Sequence, residues 1–138
     1  MNDLPELDHF PQKTYDKIRY VDTDRQGHVN NAIFSNLLET GRVEILYDPA
    51  NPLASENCSF VIVRLALNFH DEITCPGNVE IGTRVSKVGQ SSITFEQGLF
   101  QKKRCVATAS TTIVHMNEIE KQSEPINDAT ARFLKDLM

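Results

Sequence analysis

One short stretch of the sequence combines a carboxylate, a glycine turn and a helix start, YVDTDRQGHVNNA at residues 20–32. A helix N-terminus carries unpaired N–H groups and about half a unit of positive charge, so it can hold a carbonyl oxygen on which negative charge develops. A carboxylate beside it, Asp22 or Asp24, could attack that carbonyl carbon or deprotonate a water. Such a site suits attack on a thioester, because the thiolate that departs is a good leaving group. The same residues also fit an ordinary loop and helix cap.

Other common catalytic and metal-binding patterns are missing from the sequence. It contains no GxSxG, GxGxxG or GxxxxGK[ST] motif. No zinc-binding spacing occurs among the four histidines, His9, His28, His70 and His115. The three cysteines, Cys58, Cys75 and Cys105, are odd in number and widely spaced, which argues against a disulfide framework and favours a reducing cytosol. We therefore expect no metal and no cofactor.

Length, composition and charge favour a single globular domain over residues 1–138. Hydrophobic residues make up 40% of the chain and charged residues 24%, and no apolar run approaches the length of a membrane span. The acidic start, MNDLPE, does not resemble a signal peptide, so a cytoplasmic location is expected. The net charge of −5 counts against nucleic-acid binding.

Residue periodicity predicts a strand, a loop and then one long helix. The strand is expected at Thr14–Tyr20 and the loop at residues 22–27. The helix should begin near Asn30 or Asn31, either of which can cap it, and stop before Asp48-Pro49. Its apolar face is Phe34, Leu37, Leu38, Gly41 and Ile45. Glycine within that face suggests a close approach to a sheet that wraps around the helix.

After residue 59 the apolar period changes to two, which predicts consecutive strands. They cover roughly residues 61–69, 79–85, 93–100 and 106–116, with turns at Gly89-Gln90 and Lys102–Arg104. Short turns between long strands give an antiparallel meander. Asp128 could cap a final short helix carrying Phe133, Leu134 and Leu137. The chain is therefore expected to be an α+β domain that associates with itself through an edge strand or an outer sheet face.

Three segments resemble one known family. YVDTDRQGHVNNAIF, residues 20–34, is similar to the signature D-x-D-x-x-G-H-V-N-N of the 4-hydroxybenzoyl-CoA thioesterase-like branch of the hotdog-fold superfamily. LETGRVE, residues 38–44, resembles that family's central helix, and GQSSITF, residues 89–95, resembles its turn into the fourth strand. The similarity extends in order over residues 14–116. It implies a five-stranded antiparallel sheet wrapped around one central helix, with a short C-terminal helix added here.

The resemblance also implies an activity and a set of roles. The second aspartate of the motif, Asp24, would be the catalytic carboxylate, and the backbone N–H of Asn31 would polarise a thioester carbonyl. His28 and Asn30 would shape the loop, His28 with a possible chemical role of its own. Asp22 would be structural. Glu39 is the reserve carboxylate, because another hotdog branch takes its carboxylate from the helix.

The family binds acyl-coenzyme A between subunits of dimers or tetramers, so CoA is expected as part of the substrate. Candidate contacts are Ser91 and Ser92 on the turn, with Lys87, Arg84 or the Lys102–Arg104 run for phosphates. After the second strand, where relatives often carry an aromatic, a basic residue and then a proline, this chain has Phe69-His70-Asp71-Glu72-Ile73-Thr74, which includes two acids. These acids could weaken phosphate binding, which leaves an acyl-carrier-protein substrate open.

Two other functions stay open at this point. A hotdog module could bind acyl thioesters without hydrolysing them, although such a module would not need Asp24. A hotdog dehydratase would need a histidine paired with a carboxylate, for which His28 is a poor match. The sequence does not indicate the acyl group.

Overall fold

The computed structural model describes residues 3–138 as one antiparallel sheet with two helices. In chain order the elements are β1 Gln12–Ile18, α1 Asn31–Leu46, β2 Cys58–Phe69, β3 Gly77–Val88, β4 Ser92–Gln101, β5 Arg104–Asn117, β6 Gln122–Ser123 and α2 Asp128–Lys135. Short 3₁₀ turns at Leu7–His9 and Tyr20–Asp22 flank β1. No helix among these residues is long and apolar enough to cross a membrane.

The sheet has the strand order β1-β3-β4-β5-β2, and every neighbouring pair is antiparallel. The two-residue strand β6 adds only to the end of β5. Strands β3, β4 and β5 follow one another through tight turns, as the meander predicts. The predicted α+β architecture, with a sheet curled around one central helix, is confirmed.

Helix α1 covers the inner face of the sheet, over β1, β3 and β4. Leu38, at 0% exposure, packs in one apolar cluster with Ile81 and Leu99, and Ile45 packs in a second cluster with Phe95 and Ile113. A polar layer separates the clusters: buried Gln97 accepts from Arg42 Nη1 at 3.1 Å and donates to Thr83 Oγ1 at 2.9 Å. The helix is thus fixed in register against the strands.

At Gly41, α1 approaches the sheet closely, as the place of this glycine in the apolar face predicts. A Cβ atom there would lie 2.8 Å from side-chain atoms of Gln97, Ile81 and Thr83. We therefore expect Gly41→Ala to lower the free energy of unfolding by about 1–3 kcal/mol, the usual cost of overpacking a core, despite alanine's higher helix propensity. Urea denaturation measures this change. An unchanged or raised stability would show that the helix can move away from the strands.

Two predicted boundaries are wrong. The first strand is Gln12–Ile18 rather than Thr14–Tyr20, because the chain turns at Arg19 to form the 3₁₀ turn. The second helix is capped by Asn127, not Asp128: Asn127 Oδ1 accepts from Thr130 N at 2.8 Å. Both side chains are good caps, and only the backbone conformation decides between them. The predicted α1 start is resolved in favour of Asn30 as cap.

Strand β2 forms an edge of the sheet and carries exposed apolar side chains. A bulge between Ile62 and Arg64 leaves Val63 opposite no residue of β5. Exposure along the strand ranges from 39% to 57% for Val61, Ile62, Val63, Leu65 and Phe69. An apolar edge of this length is a surface for strand pairing or for association.

Candidate active site

Asp22 is a buried anchor for the loop that precedes α1. Its carboxylate accepts from Arg19 N at 2.9 Å and from Arg19 Nη2 at 3.1 Å. Its carbonyl oxygen accepts from Asn30 N at 2.9 Å. Burial opposes ionisation of Asp22, but the backbone N–H and guanidinium of Arg19 together hold its pKa below the ordinary value. Asp22 therefore holds the loop in place, consistent with the structural role implied for it.

The lowered pKa of Asp22 gives a pH-dependent prediction. A carboxyl whose pKa is lower in the folded state contributes stability above its unfolded pKa and loses it as the pH falls below that value. We expect Asp22→Asn to cost about 1 kcal/mol of unfolding free energy at pH 7, from the lost charge-assisted bonds. The difference from wild type should shrink below pH 4. Urea denaturation of both proteins at pH 7 and below pH 4 checks this. A difference in unfolding free energy that does not change with pH would contradict it.

Asp24 lies in a small hairpin between Asp22 and the helix. Its backbone N–H donates to His28 O at 2.8 Å, and Gly27, with a φ of +81°, completes the turn. Its carboxylate Oδ1 accepts from Gln26 N at 2.9 Å and from His28 N at 3.3 Å. Among residues 3–138 no group donates to Oδ2. The side chain is therefore held by one oxygen, while the other has no donor in the described part of the chain.

The start of α1 leaves one backbone donor free. Asn30 Oδ1 accepts from Ala32 N, and Asn30 O accepts from Ile33 N, both at 2.9 Å. The N–H of Asn31, the first helical residue, has no acceptor within the part of the chain that the structure describes. A free N–H at a helix N-terminus is the donor that an oxyanion site requires.

The loop is fastened to the segment that follows β2. Val29 N donates to Ile73 O at 2.9 Å, and His28 forms a backbone bridge with Thr74. His28 Nε2 also lies 3.1 Å from Glu72 Oε2. The His28–Glu72 pair could not be predicted from the sequence, because 44 positions separate the two residues. His28 thus links the Asp24 hairpin to Glu72, which suits a role in positioning the loop.

Glu39, the reserve carboxylate, lies further along α1. It is eight positions after Asn31, which is about 12 Å along a helix axis at 1.5 Å per residue. It borders a cavity of about 320 Å³ that is also lined by Lys17 and Arg19. Its carboxylate is therefore poorly placed to act with the Asn31 N–H of the same subunit.

The candidate CoA contacts do not lie beside Asp24 in one subunit. Ser91 and Ser92 form the β3–β4 turn, where Ser91 O accepts from His115 N and Ser92 O accepts from Gly89 N. The neighbouring Gln90 O accepts from Ile126 N, at the end of the sheet next to α2. The helix start adjoins the opposite end, roughly 35 Å away along a twelve-residue strand. Lys87 lies near the turn.

The basic candidates are partly neutralised by acids. Arg84 pairs with Glu96 on the outer face of the sheet, and Arg104 pairs with Asp71. Lys102 and Lys103 form the β4–β5 turn with positive φ angles, as expected for a solvated hairpin. A cavity of about 540 Å³ also lies on the outer face and includes Arg84 and Glu96 in its lining. Neither Asp24 nor Asn31 lines it.

A family model described as the thioesterase-like superfamily matches residues 18–134, which is most of the chain and includes the whole Asp24 loop. The chain belongs to this superfamily. It is therefore a thioesterase, as the sequence resemblance implied. A comparison with curated proteins found no match.

Solved structures of similar shape agree with the fold described above. A protein from Pseudomonas aeruginosa strain PAO1 has a TM-score of 0.87 at 20% identity, with 97% of this chain and 96% of that one covered. A predicted thioesterase from Bacillus stearothermophilus has a TM-score of 0.84 at 26% identity. The match covers 92% of this chain and 96% of that one. A Thermus thermophilus thioesterase, solved with coenzyme A and zinc, has a TM-score of 0.79 at 23% identity. The match covers 93% of this chain and 94% of that one. The fold of this superfamily member is thus the hotdog fold.

Proposed function

We propose that this thioesterase hydrolyses acyl-CoA, with Asp24 as its catalytic carboxylate and the Asn31 N–H as its oxyanion donor. One observation carries the proposal: a carboxylate with a free oxygen is held in a hairpin that leads directly to a helix whose first N–H has no acceptor. The D-x-D-x-x-G-H-V-N-N motif supports a place in the 4-hydroxybenzoyl-CoA thioesterase-like branch.

The proposed reaction needs only these two groups and water. The thioester carbonyl oxygen accepts from Asn31 N–H, which stabilises negative charge on that oxygen as the carbonyl carbon is attacked. Asp24 Oδ2 either attacks the carbon to give a mixed anhydride, which water then opens, or removes a proton from the attacking water. Both routes break the carbon–sulfur bond, consume one water and release a carboxylic acid and the thiol.

A second copy of the chain is proposed to complete the site. In the single chain Asp24 is exposed, whereas a catalytic carboxylate acts best where water is excluded. The apolar edge strand β2 offers a self-complementary surface for a homodimer or tetramer. A partner would also bring its own Ser91–Ser92 turn, which one subunit holds far from Asp24.

The carrier of the acyl group is proposed to be coenzyme A. The Thermus thermophilus neighbour was solved with coenzyme A, and the family resemblance implies the same carrier. The partner's turn would supply Ser91, Ser92 and Lys87, whereas Arg84 and Arg104 already pair with acids of their own chain. Acyl carrier protein is the alternative carrier. It is favoured by the pairing of Arg84 and Arg104 with acids, because this pairing weakens their binding of the phosphates of CoA. A cytoplasmic location suits either carrier.

Thiol release from a panel of acyl-CoAs, aromatic and aliphatic, tests the proposal. We expect turnover of at least one member, with free acid and CoA as products by mass spectrometry. The same acyl groups on carrier protein identify the preferred carrier. Binding without thiol release would instead support a non-catalytic module. Loss of water with the thioester intact would support a dehydratase that uses the His28–Glu72 pair.

A further inference from the structure

Three side chains with metal-binding atoms converge at the end of the sheet away from the Asp24 loop. They are Cys58 at the start of β2, His115 near the end of β5, and Glu124 just after β6. One sulfur, nitrogen or oxygen atom from each lies within 4.8 Å of the other two. We propose that this trio binds a thiophilic divalent cation of the zinc class.

The donor set decides the class of metal. A thiolate, an imidazole and a carboxylate are the protein ligands that Zn²⁺ takes, whereas Mg²⁺ and Ca²⁺ prefer oxygen ligands alone. Cys58 and Glu124 together supply two negative charges once the thiol is ionised, which balances a divalent cation. Three protein ligands leave a fourth tetrahedral position for water.

The surrounding contacts orient two of the three ligands. Asn117 Nδ2 donates to the Glu124 carboxylate at 3.0 Å. His115, 1% exposed, accepts from Ser55 N at Nε2 (3.1 Å), so its proton is on Nδ1 and is donated to Glu124 O at 2.9 Å. Metal-binding histidines commonly donate their second ring N–H to a backbone carbonyl in this way.

The bond from Ser55 is the one that metal binding would break. Ser55 lies in the irregular segment between α1 and β2, and its N–H would lose this one acceptor. One hydrogen bond between neutral groups contributes far less than a thiolate-containing zinc set. The sequence could not reveal this site, because 57 residues separate Cys58 from His115 and no paired spacing occurs.

Metal titration of the tag-free, reduced full-length protein tests the proposal. We expect calorimetry to show one Zn²⁺ per chain, and Co²⁺ to give the near-ultraviolet absorption of a thiolate–cobalt bond. Cys58→Ser should abolish that absorption and weaken Zn²⁺ binding by about a hundredfold or more, beyond the tenfold to hundredfold usual for changes outside the ligand set. Glu124→Gln should also weaken it.

Cys105→Ser is the matched control, because Cys105 is another half-buried free thiol and belongs to no such cluster among residues 3–138. It should keep both the cobalt absorption and the zinc affinity. Thermal unfolding without metal confirms that each variant is folded. If Cys58→Ser does not fold, Glu124→Gln takes its place as the test variant. Zinc affinity equal in wild type and Cys58→Ser, or absence of the cobalt–thiolate absorption, would overturn the proposal and leave the hydrolase proposal untouched.

Discussion

Asp24→Asn is expected to lower kcat by at least about a hundredfold, the usual contribution of a positioned acid, base or nucleophile. The asparagine keeps an oxygen that can accept from Gln26 N and His28 N, so the hairpin should survive. What it loses is the negative charge and the reactive oxygen. Steady-state thiol release with the best acyl-CoA measures the effect, and thermal unfolding confirms the fold.

Asp48→Asn is a matched control for this variant. Asp48 is also exposed and accepts from a backbone N–H two residues on, Ala50 N at 2.9 Å, but it follows the other end of α1. Its substitution should leave kcat close to the wild-type value. Full activity of Asp24→Asn would move the carboxylate role elsewhere, and Glu39→Gln would then be the next variant to measure.

Hydroxylamine distinguishes the two possible roles of Asp24. A nucleophilic carboxylate forms a mixed anhydride with the acyl group, and hydroxylamine attack on the aspartyl side of that anhydride leaves a hydroxamate on Asp24. A general base forms no such anhydride, so Asp24 should then stay unmodified by mass spectrometry. Both outcomes are compatible with the geometry around Oδ2.

Val63→Arg is expected to yield a monomer whose turnover falls to about a hundredth of the wild-type value, because displacing catalytic groups by even 1 Å can cost that much. Val63 is 57% exposed at the bulge of edge strand β2, so arginine fits the isolated chain. It would place a charge in an apolar interface between copies. Sedimentation velocity and thiol release at one protein concentration measure both effects.

The opposite edge of the sheet provides the control for the interface. Tyr15 on β1 is 65% exposed, and Tyr15→Arg should keep both the assembly and the activity. If Val63→Arg fails to fold, Ile62→Lys on the same strand tests the same surface. A wild-type enzyme that is fully active as a monomer would contradict the shared site.

The local parts of this molecule could be predicted from sequence because their contacts are short in range. Asp24, Gly27 and Asn30 lie within seven residues, and the hairpin and cap depend on contacts among them. Long alternating runs likewise predicted the strands after residue 58. Boundaries failed where adjacent residues compete equally, as at Asn127 and Asp128.

Contacts between residues far apart in the chain could not be predicted from the spacing of residues in the sequence. Glu72 reaches His28 only because the segment after β2 lies beside the loop. Ser91 and Ser92 lie in a segment that resembles the same family as the Asp24 motif, yet the length of β3 places them at the other end of the sheet. The pairing of β2 with β5 brings Cys58 and His115 together in the same way.

The vibration of a bound thioester carbonyl tests the central claim most directly. Inactive Asp24→Asn would be loaded with an acyl-CoA carrying ¹³C at the carbonyl, and infrared difference spectra would be compared with the free thioester. A hydrogen bond from Asn31 N–H should lower the carbonyl stretching frequency, since it polarises the bond. An unshifted carbonyl in a saturated complex would contradict an oxyanion donor at the start of α1.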